Sequence, residues 1–456
     1  MSRTNDMTNG RVSTTIFSFF LPMLMTNLLQ QVYNFTDTAI VGKGLGDSAL
    51  AAVGNMSSLT FLIIGFSMGM SNGFAVIIAQ NYGARDIKAL RRSFVASIKL
   101  AAMIAIVLTA VSLLFLRRIM VLMQTSDEII EDSLRYGYII FGGLIATIAY
   151  NMSAGVLRAL GDSKTPFIAI IISSVLNIIL DCVFIFGFRT GVEGAAIATV
   201  AATFISAGVC ISRIIRIDEL SISRSDLHTD RALYSALLKN GLPMALMNSI
   251  TAVGCIVVQY FVNGLGVAYT SAYSACSKYI NMFMLPGVTA GYTMSAFAGQ
   301  NYGAGRTDRI KEGMKVCVKI ALASYVMLGS LMIFFPRFLA SFMLNGNETI
   351  SLAAGFLPIC GAMLFAVDLL FVFRSCVQGM GAPMLPMVSG ILEMVLRIAV
   401  IFAFIGSLGF TATAFAEVTA WTGALIVNMF AYFTFMRQSA AKKAAESHMC
   451  EHAYAS

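Results

Sequence analysis

An all-α integral membrane protein, with twelve transmembrane helices in two six-helix pseudo-symmetric lobes, is the fold class this sequence predicts. Three observations predict it. The 456-residue chain is 58% hydrophobic and 12% charged, with a mean hydropathy of +0.80, whereas soluble proteins are roughly 45–50% apolar and about 25% charged. It holds a dozen apolar stretches close to or above the ~20 residues that a helix needs to cross hydrocarbon. It also repeats itself after about 220 residues: Gln80-Asn81-Tyr82-Gly83-Ala84 returns as Gln300-Asn301-Tyr302-Gly303-Ala304. Leu21-Pro22-Met23 returns as Leu242-Pro243-Met244, Gly44-Leu45-Gly46 as Gly264-Leu265-Gly266, and Gly161 and Pro166 as Gly381 and Pro386. Such duplication in an apolar chain implies two membrane lobes with a transport path between them.

The expected spans lie near 14–41, 50–80, 93–116, 135–160, 165–188, 192–215, 241–263, 268–299, 314–335, 352–378, 384–406 and 410–436. The second and eighth are long enough to tilt or to project beyond the bilayer. Six spans per repeat is an even number, so both repeats enter the membrane in the same orientation. The expected organisation is an N-terminal lobe over 1–215, a cytoplasmic linker over 216–240, a C-terminal lobe over 241–436 and a mobile cytoplasmic tail over 437–456. The linker mixes Arg216, Asp218, Glu219, Arg224, Asp226, Asp230, Arg231 and Lys239, and part of it is expected to be helical.

The net charge of +8 is a topology signal and not a nucleic-acid footprint. With the N-terminus inside, the inward segments hold twenty of the 31 basic residues, clustered at 85–92, 213–231 and 306–315. The outward segments hold six: Lys43, Arg117, Arg118, Arg135, Arg189 and Arg337. The positive-inside rule then puts both termini in the cytoplasm.

Several chemistries find no support. The eight cysteines form no C-x-x-C pair and read as small packing residues; the three histidines, His228, His448 and His452, all fall in expected cytoplasmic segments. No zinc or haem site is indicated. There is no G-x-x-x-x-G-K-[ST] phosphate loop and no segment long enough for a soluble catalytic domain. No enzyme activity and no cofactor are expected, so transport against a gradient has to draw on a coupled ion. The polar opening from Ser2 to Gly10 lacks the form of a cleaved signal peptide.

An ionisable residue at the centre of a membrane helix costs about 2.5–3.5 kcal/mol, so each one needs a reason. The first repeat places Asp37 in its first span and Asp181 in its fifth, with Asn177 four residues earlier on the same helical face. Asn151 in the fourth span and Thr199 in the sixth offer neutral oxygens. Two carboxylates with Asn and Thr oxygens can hold Na⁺ at Asp37, Asn177, Asp181 and Thr199, or share a proton. Alternatively, Asp37 lies in the external mouth and Asp181 orients a neighbour. A shift of 220 sets Val257, Arg397 and Ile401 opposite Asp37, Asn177 and Asp181, so the acidic set belongs to one lobe. The second lobe carries Asp368, Arg374, Glu393 and Arg397, read as a neutral structural network or as a second binding site; Lys278 and Glu417 are further charges with no assigned role.

Pro22 stands fifteen residues before Asp37, about 22 Å along a helix. Proline removes a backbone hydrogen bond and bends a span, either statically or as a hinge. The 28 Met and 33 Phe permit a cavity accepting many flat or cationic molecules, although most must face lipid or other helices.

These residues resemble the multidrug and toxic compound extrusion (MATE) family. The resemblance rests on Leu21-Pro22 followed by Asp37, the run from Gly44 to Gly54, both Gln-Asn-Tyr-Gly-Ala copies, and the run from Val156 to Pro166. It covers nearly the whole chain and is closest to the bacterial MepA-type branch. It implies two lobes in a V around a central cavity, in a bacterial inner membrane, with efflux of organic cations or amphipathic drugs by H⁺ or Na⁺ antiport. Asp37, Asn177, Asp181 and Thr199 match the family's N-lobe cation or proton site, Asn151 a neighbouring polar position, and Pro22 a helix-bending proline. Asp368 resembles an acidic residue that another branch uses for Na⁺, but where that branch has a glutamate this chain has Thr251. Membrane lipids and drug-like substrates are the expected partners, nucleic acid is not, and a monomer is expected. A lipid-linked precursor flippase of the same superfamily is the alternative, with Arg374 and Arg397 meeting an anionic headgroup.

Overall fold

Residues 6–123 and 125–455 are described by a computed structural model built from helices joined by short connections. Ser2, Arg3 and the other residues before Asp6 in the polar opening lie outside the described residues. In chain order the helices are α1 (Val12–Leu45), α2 (Asp47–Gly83), α3 (Ile87–Leu122), α4 (Ile130–Gly142), α5 (Leu144–Ala159), α6 (Lys164–Asp181), α7 (Val192–Ile215), α8 (Arg231–Leu265) and α9 (Val267–Phe283). They continue as α10 (Leu285–Gly303), α11 (Thr307–Ser324), α12 (Ser330–Phe334), α13 (Pro336–Met343), α14 (Asn347–Ala362), α15 (Leu364–Gly379), α16 (Met384–Leu408) and α17 (Thr411–Ala455). Wider π-type turns extend α6 over Cys182–Gly187 and join α11 to α12 over Tyr325–Gly329.

Among the described residues nine helices are long and apolar enough to cross a membrane, and up to eleven if each of two bent pairs is one span. The pairs are α4 with α5, bent by 45°, and α14 with α15, bent by 47°. Their breaks at Gly143 and Met363 are 220 residues apart, so the duplication extends to where the spans break. The expected stretch 268–299 is divided between α9 and α10 and is not among the eleven. The reason lies in α9, whose 17 residues include Tyr269, Thr270, Ser271, Ser274, Ser277, Lys278 and Asn281. The tail expected to be mobile continues helix α17 to Ala455. Within the expected linker of 216–240 the helical part is the start of α8, which begins at Arg231.

Glycines at repeated positions turn the chain in both halves. Gly46 and Gly266, which precede α2 and α9, have φ of 87° and 120°, and Gly161 and Gly381 have 82° and 85°. These left-handed values are costly for any residue with a Cβ, which accounts for glycine at both ends of each 220-residue shift.

The chain divides into two compact units, one built on Ser18–Ala245 and the other on Met7–Phe17 with the chain from Leu246 onward. In the first, Phe74, Ile78, Phe141, Leu144 and Leu157 form a closed apolar interior. The opening turns of α8 belong to it because Gly73 meets Gly241 backbone to backbone: a Cβ on Gly73 would stand 2.4 Å from the Gly241 Cα. The connection before α8 is tied down as well. Arg91 of α3 donates to the carbonyls of Asp218 and Glu219, and Lys99 donates to that of Leu227.

In the second unit the repeated Gln-Asn-Tyr-Gly-Ala motif grips the N-terminal segment. The Met7 N–H donates to Gln300 Oε1 at 2.9 Å, and Asn301 Nδ2 donates to the Met7 carbonyl at 3.2 Å. Arg309 donates to the carbonyls of Met7, Asn9 and Gly10. This backbone, which forms no helix of its own, is thereby satisfied by side chains. The outer faces are apolar, with Leu114, Phe402 and Phe430 largely exposed. Faces of this composition are suited to hydrocarbon as their solvent.

Candidate functional site

The acidic site lies in the first unit, where α1, α6 and α7 converge. Asp37 stands two turns before α1 ends at Leu45, and Asp181 is the last residue of α6. Directly after Asp181 the backbone widens into the π-type turns of Cys182–Gly187, a local geometry frequent at functional sites. Glycine lets α1 approach this segment, because a Cβ on Gly44 would stand 2.6 Å from Ile185 Cγ2.

The structure brings the carboxyl groups of Asp37 and Asp181 within hydrogen-bonding reach of each other. Asp181 and Asn177 are fully buried, and Asp37 is half-buried. Neither Asp181 oxygen has a hydrogen-bond donor, nor does Asp37 Oδ1, nor do the Asn177 amide atoms have partners. Among the described residues no Lys, Arg or His comes within salt-bridge distance of either carboxylate. Buried carboxylates of this kind are very unfavourable unless neutralised. A proton shared between them supplies the missing donor, and a small hard cation supplies the missing charge. The donor set of two carboxylates with amide and hydroxyl oxygens has no thiolate or imidazole. Among the described residues no three His, Cys, Asp or Glu side chains are grouped to hold a resident metal ion.

Two tyrosines escaped the sequence reading. Tyr33, one helical turn before Asp37, reaches the Thr199 hydroxyl and lies within electrostatic range of the two carboxylates, as does Tyr136 of α4. The i, i+4 spacing of Tyr33 and Asp37 was the available signal. Nothing local marked Tyr136, which arrives through tertiary packing. Thr199 thus joins the cluster by way of Tyr33. Asn177 sits one turn before Asp181 on the same helix. Asn151 makes no hydrogen bond to any of these residues, and its Nδ2 is buried without a partner.

The second unit holds a different arrangement. Arg374 of α15 donates to Glu393 Oε2 at 2.8 Å, and Arg397 of α16 donates to Glu393 Oε1 at 3.2 Å. Arg397 also reaches Glu417 Oε2 of α17 from Nη2 at 2.9 Å and from Nε at 3.2 Å. Tyr273 of α9 donates to Glu417 Oε1 at 3.4 Å. Two bases and two acids close a neutral, buried chain of ion pairs. Asp368, expected in this network, stands outside it: both its oxygens are buried without partners, and it packs against Gly287, where a Cβ would stand 2.2 Å from Asp368 Oδ1. Glu417 takes the place expected of Asp368. No spacing rule could bring α17 to Arg397.

Comparison with known proteins places this chain in a family. The MatE family model matches the chain twice, over residues 22–183 and 243–405, one match in each copy of the repeat. A probable multidrug resistance protein of Bacillus subtilis, YoeA, is 32% identical over 354 residues, covering 75% of each chain. The multidrug export protein MepA of Staphylococcus saprophyticus is 23% identical over 413 residues, covering 89% of this chain and 90% of its own. A solved structure described as MATE in the bent conformation superposes with a TM-score of 0.91 at 21% identity, covering 97% of this chain and 100% of the other. At that identity the likeness speaks for the fold alone. The twice-matched family pattern and the B. subtilis relative carry the assignment: the chain belongs to the MatE family, with MepA-type proteins among its relatives, and is a multi-pass membrane transporter and not an enzyme.

Proposed function

We propose that this chain is a secondary active multidrug efflux transporter, exporting organic cations or amphipathic drugs from the cytoplasm in exchange for H⁺ or Na⁺ by alternating access. The observation that carries the reading is the Asp37–Asp181 pair, two carboxylates in mutual reach with no protein donor on either Asp181 oxygen. In the proposed cycle an external ion occupies the pair and cancels its charge, the substrate leaves outward, and the ion is released once the site opens inward. Asp37 and Asp181 hold the ion, and Asn177 and Thr199 contribute neutral oxygens. Tyr33 orients Thr199 toward the pair, while Asn151 lends polarity one helix away. Pro22 is the bend in α1 through which occupancy at Asp37 is felt along the helix. The relatives are multidrug resistance and multidrug export proteins by name, which supports the substrate class.

The architecture that goes with this reading is twelve transmembrane helices in two six-helix lobes, α9 and α10 together supplying the eighth span, with the central cavity the family resemblance implies. The chain then works as a monomer in a bacterial plasma membrane with both termini cytoplasmic, an orientation that the distribution of basic residues supports. The flippase alternative has less support, because Arg374 and Arg397 are already engaged by Glu393 and Glu417.

Reconstitution into proteoliposomes with pH and Na⁺ gradients imposed separately tests the proposal. Uptake or release of a fluorescent organic cation driven by one gradient is expected. Movement driven by neither gradient would defeat the antiport reading.

A further inference from the structure

We infer that the groove between α6 and α7 in the first unit is a binding site for an anionic phospholipid, with the headgroup at Arg216 and Arg213. The groove is shallow and open along its side, with a volume of about 640 Å³, and is patterned along its length like an amphiphile. On α7, residues four apart share one face. One row runs Phe204, Gly208, Ser212, Arg216, and the row beside it runs Ile205, Val209, Arg213. From the aromatic end to the guanidinium end this row covers about 18 Å. The opposite wall has the same polarity: Thr165, in the first turn of α6, faces the cationic end, and Ile168 lies one turn deeper. Phe204, Ile205 and Ile168 are 51%, 42% and 50% exposed, so the deep end offers apolar surface to a chain.

Gly208 sits between these ends with nothing within 4 Å of where its Cβ would be, which leaves the groove floor open. At the cationic end Arg213 is partly neutralised by Asp162, 3.4 Å away. Among the described residues no acidic side chain lies within salt-bridge distance of Arg216, so the three charges leave one positive charge at the mouth. Arg216 caps the C-terminal end of α7, where the helix leaves the apolar layer. Basic pockets between membrane helices at that level suit lipid headgroups, each arginine contributing about fivefold in affinity. A free anion would use the arginines but leave the apolar walls uncovered. A neutral lipid would use the walls but not the charge.

The test is native mass spectrometry of the full-length protein in detergent, offered equal amounts of phosphatidylglycerol and phosphatidylcholine with matched acyl chains. The wild type is expected to retain phosphatidylglycerol about fivefold over phosphatidylcholine. Arg216→Gln should bring the two to parity and Arg216→Lys should restore the preference. Gly208→Leu, which fills the floor, should lower retention of both lipids. Equal retention by the wild type, or an undiminished preference in R216Q, overturns the proposal. So does displacement of the bound lipid by excess inorganic phosphate, which would show that the site recognises the anion without the chains. If R216Q is not recovered as a monodisperse protein, G208L decides, since undiminished phosphatidylglycerol retention by that variant overturns the proposal.

Discussion

Arg397 on α16 and Glu417 on α17 are joined by two hydrogen bonds, 3.2 Å from Nε and 2.9 Å from Nη2, while the same guanidinium reaches Glu393 one turn earlier on its own helix. Arg397 is only 2% exposed, so its charge depends on these partners and not on water. Removing one member of a buried ion pair costs about 3–5 kcal/mol, because the other charge is left uncompensated. Arg397→Met should therefore lower the melting temperature of the detergent-solubilised protein clearly, whereas Arg397→Met combined with Glu417→Gln should regain part of the loss. Additive losses in the two variants would show that the pair is not energetically coupled.

Neutralising either carboxylate of the first unit should uncouple transport without unfolding the protein. Asp37→Asn and Asp181→Asn replace buried oxygens with amides of the same shape, which relieves the unpaired charge. Each is expected to insert normally and to lose ion-driven efflux at least about tenfold, the effect of about 1.4 kcal/mol in ion binding. Efflux assays on cells with matched membrane levels check this; wild-type efflux from both variants would remove the pair from the mechanism.

Tyr33 offers a finer probe of the same cluster. Tyr33→Phe deletes the hydroxyl that reaches Thr199 beside the carboxylates and keeps the ring. A lost hydrogen bond of this kind is worth about 0.5–1.5 kcal/mol, so the half-saturating ion concentration should shift by a few-fold while maximal efflux is kept. A loss of maximal efflux at unchanged ion dependence would instead point to packing.

Pro22 interrupts the hydrogen-bond ladder of α1, and Thr26 Oγ1 donates to the Pro22 carbonyl at 2.8 Å. Pro22→Ala restores the missing N–H and should stabilise α1 by up to about 3 kcal/mol. If the bend is part of the cycle, this variant shows a higher melting temperature together with slower efflux. A variant that is more stable and fully active would assign Pro22 to static shape alone.

The connection before α8 carries a pH-sensitive cap. The Ser223 hydroxyl and N–H donate to Asp226 Oδ2 at 2.7 Å and 2.9 Å, and these two donors hold the Asp226 carboxyl below its usual range. Because the folded value is the lower one, the cap's contribution is present above the unfolded value of about 3.9 and disappears as pH falls through the folded value. Amide exchange at 223–227, corrected for intrinsic rates, should show constant protection from pH 8 to pH 5 and a decline only in acid. Asp226→Asn should show the lower protection already at neutral pH; equal protection in that variant would mean the turn holds without the cap.

Much of the membrane character and the duplication was legible in the sequence because hydropathy and repeated turn glycines act locally. Twenty apolar residues have one outcome in hydrocarbon, and Gly46 and Gly266 mark a backbone conformation that other residues resist. The fully buried Asn177–Asp181 face was legible for the same reason, as helical spacing is fixed by 3.6 residues per turn. Less legible was where helices break: the expected stretch 268–299 is divided between α9 and α10, and the helical part of the linker is the start of α8 at Arg231.

By itself the sequence determined the helices, their repeat and which half carries an isolated acidic pair, since all three follow from residue type and short-range spacing. Tertiary structure alone decided that Asp37 meets Asp181, that Tyr136 joins them, and that Glu417 and not Asp368 completes the ion pairs around Arg397. Those contacts join helices up to 144 residues apart in the chain, and no periodic pattern within one helix records which distant helix will pack against it.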